Sequence, residues 1–185
     1  KGVGSAFTKR NTELNFQNSG TAARLITGLL STNPDIQVKL NGDKSLRKRN
    51  MSKLISLLSM FGASFYPKGK KTFPLTLIAS EMPVGINFTS GTSAQLKSAC
   101  ILAAINSFGT TNIYEKMASR NHTENMIKNN KEVFKIIKND HLKIYGKKSL
   151  ENFKIQIPND PSSAAFFAAL TLLNEKSTLK IKSVG

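Results

Sequence analysis

Tryptophan is absent from this 185-residue sequence, cysteine occurs once as Cys100, and histidine twice as His122 and His141. A single cysteine closes no intramolecular disulfide, and two histidines without a cysteine cluster give a zinc site no support. Cys100 lies among Leu96, Ala99, Ala103 and Ala104 and reads as a buried structural thiol. Long apolar runs are missing too. The longest, residues 164–173, falls well short of the roughly 18 residues that cross a bilayer. No basic, apolar, small-residue pattern opens the chain, so the expectation is a soluble, cytoplasmic protein. Acidic residues are few, 11 against 27 lysines and arginines, for a net charge of +16.

Such an excess calls for an anionic partner or a biased composition. Lysines crowd residues 128–154 among Asn and Ile, as in Lys128-Asn129-Asn130-Lys131, a compositional drift that leaves about half of the charge as solvated surface. The functional share is expected in the arginines, which are few and stand near Gly, Ser and Thr. With 39% hydrophobic residues, the chain is long enough to bury a core as one domain or two small ones.

An internal repeat organises the sequence. Ser19-Gly20-Thr21 recurs 71 positions later as Ser90-Gly91-Thr92, and Arg49-Asn50 recurs at the same offset as Arg120-Asn121. Each triplet opens a helical apolar pattern: Ala22, Leu25, Ile26, Leu29 and Leu30 in the first, Leu96, Ala99, Cys100, Ala103 and Ala104 in the second. A third echo begins at Asp160-Pro161-Ser162-Ser163, where Pro161 is placed to start a helix over 164–173. Strands are expected over 36–40 and 111–114, second helices over 51–61 and 123–137, and further strands near 63–66, 75–79, 85–88, 141–145 and 153–157. The order strand, helix, strand, helix, strand, strand predicts an α/β architecture with helices packed on sheets.

The candidate chemistry sits at matching places in the two units. Gln17-Asn18-Ser19-Gly20-Thr21 is a turn feeding a helix, so unpaired N–H groups and the positive dipole end face an incoming anion. Gly20 permits close approach, and Asn18 and Thr21 add donors, although an ordinary N-cap uses the same residues. Arg24, off the apolar stripe, fits a surface residue or a buried bridge equally well. Arg47, Lys48 and Arg49 follow a strand and read either as a solvated charge run, the usual meaning of such a cluster, or, given the repeat, as a fork for phosphate or carboxylate. The second unit offers Ser93, Ala94 and Gln95 at its helix start, then Ser119-Arg120-Asn121-His122 after its strand. For His122, beside Arg120, a ligand contact and a structural role both stay open. His141, at a turn before a strand, reads as structural.

Five motifs resemble the 3-phosphoshikimate 1-carboxyvinyltransferase (EPSP synthase) family in order and spacing: Asn18-Ser19-Gly20-Thr21 with Arg24, Gly42-Asp43 through Arg49, Ser93-Ala94-Gln95-Leu96-Lys97-Ser98-Ala99, Ser119-Arg120 with His122-Thr123-Glu124, and Asp160 through Phe166. The resemblance implies repeated βαβαββ units of the two-lobed enolpyruvyl transferase fold, an inside-out α/β barrel, here incomplete. Residues 1–156 would hold two units of one lobe and 157–185 the truncated start of the other. It further implies transfer of enolpyruvyl from phosphoenolpyruvate to the 5-hydroxyl of shikimate 3-phosphate with no metal or organic cofactor, in a full-length enzyme that is a monomer. Gly20 and Arg49 would contact phosphoenolpyruvate, with Asn18 and Thr21 shaping that loop. Ser93, Ala94 and Gln95 would hold shikimate 3-phosphate, Gln95 also reaching phosphoenolpyruvate, and Ser119 and Arg120 would bind the 3-phosphate. No catalytic residue is assigned, since the family's Lys-Ser-Arg segment and its later Asp, Glu, Lys, Arg and His residues have no counterpart here. Asn50 stands where the family usually has proline, Asn121 where it has aspartate, and Asn125 where a basic residue is common.

Two other readings remain. The related enolpyruvyl transferase that acts on UDP-N-acetylglucosamine shares the repeat, but its reactive loop cysteine has no counterpart. A nucleic-acid-binding module fits the charge, yet no interleaved basic and aromatic run appears in the sequence, so no specific nucleic-acid partner and no membrane partner is expected.

Overall fold

The computed structural model describes residues 12–138, 140–152 and 154–184. The chain divides into two compact units, residues 1–150 and 151–185. In the first unit the order is β1 (Thr12–Asn15), α1 (Gly20–Leu30), β2 (Gln37–Asn41), α2 (Ser52–Met60), β3 (Ser64–Tyr66) and β4 (Leu75–Ile78), then β5 (Asn87–Ser90), α3 (Ala94–Ile105), β6 (Thr110–Glu115), α4 (His122–Ile127), β7 (Phe134–Lys138) and β8 (His141–Tyr145). This is βαβαββ twice. The two sheets share one topology, β1-β2-β4-β3 and β5-β6-β8-β7. In each, the first two strands are parallel and the remaining pairings antiparallel.

Period-two alternation builds the sheets. Val38, Leu40, Leu75 and Leu77 turn inward from β2 and β4, Ile113, Leu142 and Ile144 from β6 and β8, and all seven are buried. Leu54, Leu57 and Leu58 of α2 join Phe61, Phe65 and Phe73 in the same core cluster. No helix among the described residues is long and apolar enough to cross a membrane.

Helices α1 and α3 pack tightly on one another, and the contact corrects the apolar stripe read for the first helix. The buried residues of α1 are Gly20, Ala23, Thr27, Gly28 and Leu30, while Ile26 is 39% exposed. Close helix approach selects the small side chains. A Cβ built on Gly28 would lie 2.6 Å from the Ala99 carbonyl oxygen and 2.9 Å from its Cα, backbone atoms that cannot swing away. Beyond it, Thr32 Oγ1 donates to the Ala103 carbonyl at 3.0 Å and Asn106 Nδ2 donates to the Thr32 carbonyl. The exchange Gly28→Ala is therefore expected to cost about 1–3 kcal/mol by forcing the helices apart, measured as a lower urea midpoint at unchanged slope.

Three further expectations are corrected. The helix expected over 123–137 is only the six residues of α4, and the rest forms β7. Asn130 is buried, donating its backbone and side-chain N–H to the Ile127 carbonyl and ending the helix. The β-branched run after it then suits a strand. The strand expected over 153–157 is not formed by residues 154–157, and Phe153 lies outside the described residues. The strand expected over 85–88 begins two residues later, at Asn87.

In the second unit, α5 spans Pro161–Leu172, with Asp160 as N-cap accepting from the Ser162 and Ser163 amides at 3.0 and 3.2 Å. An isolated parallel bridge joins Asn159 to Val184, on either side of α5 in sequence. Phe166, Phe167, Leu170 and Leu172 of α5 are exposed.

Candidate functional site

The loop after β1 turns sharply. Gln17 takes a left-handed φ of 53°, and its amide donates to Asn15 Oδ1 at 2.9 Å. Ser19 caps α1 by accepting from the Ala22 amide at 3.1 Å. The loop after β2 is fastened beside it. The Asp43 amide donates to the Gln17 carbonyl at 2.9 Å, the Leu46 amide to Asp43 Oδ1 at 2.7 Å, and Arg49 Nη2 to Asn18 Oδ1 at 2.8 Å.

These ties bring two arginines onto Gly20. A Cβ there would lie 2.6 Å from Arg49 Nη1 and 2.9 Å from Arg24 Nη1, so only glycine leaves both guanidinium groups in place. Arg24 Nη1 also donates to the Gly20 carbonyl and to Gln95 Oε1, both at 3.0 Å, and Gln95 Nε2 donates to Thr21 Oγ1 at 2.7 Å. Burial, and then the charge of Arg49, hold Arg24 below the ordinary arginine pKa, though a guanidinium stays protonated. No salt bridge among the described residues neutralises this pair. Two cations at a helix start, with no carboxylate between them, make a site for an anion.

Gly20, Thr21, Gln95 and Arg24 are thus joined by hydrogen bonds, and the separate pair of Asn18 and Arg49 lies beside them, with the Arg49 guanidinium against Gly20. Ser93 caps α3, accepting from the Leu96 amide at 3.4 Å, and Ala94 is the first residue of that helix. Beside Ser93 an open groove of about 490 Å³ is floored by Leu57, Met60, Phe88 and Leu96 and rimmed by Lys53. Ser119 is anchored below α3, its hydroxyl donating to Glu115 Oε1 at 3.1 Å. Arg120 is exposed and is not drawn into the arginine cluster by any bond among the described residues. Arg47 leaves the expected fork, its Nε donating instead to Asn41 Oδ1 at 2.9 Å. His141 is on the opposite face of its sheet, stacked on Tyr114 with ring centroids 4.5 Å apart.

Sequence reasoning missed the buried ionic cluster beneath this site. Lys97, its side chain 1% exposed, bonds Glu115 at 2.9 Å and also Glu124, whose side chains are 9% and 5% exposed. Burial alone would lower the Lys97 pKa, but hydrogen bonds and charge from Glu124 and Glu115 outweigh it and raise the value above ordinary lysine. Glu115 and Glu124 bracket residues 116–121, so Lys97 clamps both ends of the Ser119–Arg120 loop to α3. The one available signal was a lysine inside an otherwise small and apolar helix.

The departures from the family pattern find local partners. Asn50 Oδ1 accepts the Ser52 amide at 2.7 Å, orienting the start of α2 as a proline would by its fixed φ. Asn121 Oδ1 accepts from Asn125 Nδ2 at 3.1 Å, so two of the departures answer each other as a neutral pair.

Cys100 is buried and unpaired, and burial pushes its thiol well above the usual range. It is expected to resist an aromatic disulfide reagent at pH 8 while the protein is folded and to react at once in denaturant.

Residues 1–185 match the family model for EPSP synthase (3-phosphoshikimate 1-carboxyvinyltransferase). The chain belongs to that family. It is 39% identical over 184 residues to a 3-phosphoshikimate 1-carboxyvinyltransferase of Streptococcus uberis, covering 98% of this chain and 42% of the relative. A protein of the same name from Leptospira interrogans is 40% identical over 177 residues, covering 95% and 40%. A solved EPSP synthase structure from Acinetobacter baumannii superposes with a TM-score of 0.77 at 32% identity, covering 94% of this chain and 39% of that one. This EPSP synthase family chain thus spans about 40% of the length of the curated relatives it matches, and its paired βαβαββ units are part of that fold.

Proposed function

We propose that the chain is part of a 3-phosphoshikimate 1-carboxyvinyltransferase, which joins phosphoenolpyruvate to the 5-hydroxyl of shikimate 3-phosphate and releases phosphate. The convergence of Arg24 and Arg49 on Gly20 carries this reading. Each substrate bears a phosphate and a carboxylate, and a site of guanidinium groups and helix starts is what those charges require. In this assignment Gly20 and Arg49 contact phosphoenolpyruvate, and Asn18 and Thr21 shape their loop. Ser93, Ala94 and Gln95 hold shikimate 3-phosphate, with Gln95 reaching both ligands, and Ser119 and Arg120 bind the 3-phosphate. Asn18 and Gln95 also orient Arg49 and Arg24 before any ligand arrives, so less freedom is lost on binding. Residues 1–156 then belong to one lobe and 157–185 begin the other. These residues bind and orient, and none is given the proton transfers.

The test is phosphate release by the full-length protein from phosphoenolpyruvate, with shikimate 3-phosphate or UDP-N-acetylglucosamine as acceptor. Release only with shikimate 3-phosphate is expected. Release only with the nucleotide sugar would transfer the chain to the related enzyme.

A further inference from the structure

The sheet β5-β6-β8-β7 buries Ile113, Leu142 and Ile144 on one face, so the alternate residues form the other. Across that open face, Tyr114 stands opposite His141 and His141 opposite Lys138, while Lys143 stands opposite Lys135. The Tyr114 and His141 rings stack with an interplanar angle of 23°, and Tyr114 is 41% exposed. The ammonium groups of Lys135 and Lys143 lie 5.4 and 5.5 Å from the centroid of the Tyr145 ring. The aromatic rings thus occupy the two central strands, and the lysines occupy β8 and the edge strand β7. Among the described residues no strand carboxylate answers these lysines. Glu115 is turned to Lys97, Asp140 lies in the turn between β7 and β8, and Glu132 precedes β7.

The first sheet is an internal control. It has the same topology and is drawn from the same lysine-rich chain, yet on its open face Lys39 pairs with Glu13 at 3.0 Å. Its aromatic residue there, Tyr66, is on the edge strand β3. Compositional drift therefore explains lysines on both sheets but not the combination of clustered rings and unanswered charge on one. Contrary to the sequence reading, residues 135–145 interleave basic and aromatic side chains as Lys135, Lys138, His141, Lys143 and Tyr145, and the pairing of β6 with β8 adds Tyr114.

Flat π surfaces flanked by cations match a polymer that presents a planar base and a phosphate at each step. A four-stranded sheet with aromatic rings on its central strands can stack successive unpaired bases, which a duplex keeps hidden. We infer that this face binds single-stranded nucleic acid without sequence preference. Bases stack on Tyr145 and on the Tyr114–His141 pair, and Lys135, Lys138 and Lys143 meet phosphates. The inference is independent of the proposed reaction, whose residues lie at the starts of α1 and α3 and in the adjoining loops.

The test uses the full-length protein and a fluorescein-labelled oligouridine of about a dozen nucleotides, followed by anisotropy at about 0.15 M salt. The same strand annealed to its complement, and heparin, serve as comparisons. Oligouridine is expected to bind more tightly than the duplex. Replacing Tyr114 and Tyr145 together by leucine should weaken oligouridine about 10-fold or more and leave heparin unchanged. Lys135→Ala with Lys143→Ala should flatten the log–log salt dependence by about 1.4, roughly 0.7 for each phosphate that is no longer neutralised, while Lys39→Ala should not. The exposed lysines test the face without touching the core, should the tyrosine variant fold poorly. Equal binding of duplex and oligouridine, with parental affinity in the tyrosine variant, would overturn the inference in favour of diffuse attraction by net charge. So would an absence of oligouridine binding.

Discussion

Replacing Lys97 by alanine is expected to destabilise the protein by about 3–5 kcal/mol, because it leaves Glu115 and Glu124 buried without their cation. The cluster already holds one more negative charge than positive, and Glu124 Oε2 has no hydrogen-bond partner. Glu124→Gln should therefore remain within about 1 kcal/mol of the parent, since an amide oxygen can still accept from Lys97 and the surplus charge is gone. Urea unfolding of both variants separates the two cases. A small effect of Lys97→Ala would mean that water reaches the carboxylates. The pH dependence has a definite sign. A raised folded-state pKa makes the Lys97 contribution fully present below the ordinary lysine value and lost as pH climbs through the raised one. The Lys97 contribution is thus present through neutral pH and is lost in alkali.

Arg49→Ala is expected to raise the KM for phosphoenolpyruvate in the full-length protein by about 10- to 100-fold, the equivalent of one or two charged hydrogen bonds. Its effect on the unliganded fold should have the opposite tendency. Arg49 is exposed, and its charge disfavours the neighbouring Arg24 cation, so removing it relieves a repulsion. Thermal melting should show the variant at least as stable as the parent without ligand, and less stabilised by saturating phosphoenolpyruvate. Equal losses of stability with and without ligand would mark Arg49 as structural.

The repeat made the fold legible. Ser19-Gly20-Thr21 and Ser90-Gly91-Thr92 located two helix starts, and the spacing between them is seen again in bonds such as Arg24 to Gln95 and Thr32 to Ala103, each joining residues 71 apart. Periodicity failed where its apolar positions suited more than one element. Ile127, Val133 and Phe134 satisfy a helix as readily as a short helix followed by a strand, and the buried Asn130 decided between them. It failed again in α1, where the buried face is set by close approach to α3 and so holds Gly28 and Thr27 while Ile26 faces outward. Turn chemistry drew attention to Asn18, Gly20 and Thr21, the repeat to Arg49 and Gln95, and their ligand roles came from the family resemblance. Arg24 needed its bond to Gln95, and the Lys97 cluster needed three dimensions, since residues 97, 115 and 124 share no local pattern. The open face of the second sheet is partly legible, since His141, Lys143 and Tyr145 alternate along β8, while Tyr114 and Lys135 join them only across strands.

The most direct measurement is calorimetric titration of the full-length protein with shikimate 3-phosphate, with shikimate as the comparison lacking the phosphate. Binding of the phosphorylated ligand, reduced about 10-fold or more by Arg120→Ala with shikimate little affected, is the predicted result. Equal affinity for the two ligands, or an Arg120→Ala variant that binds like the parent, would contradict the assignment of these helix starts and arginines to one substrate-binding site.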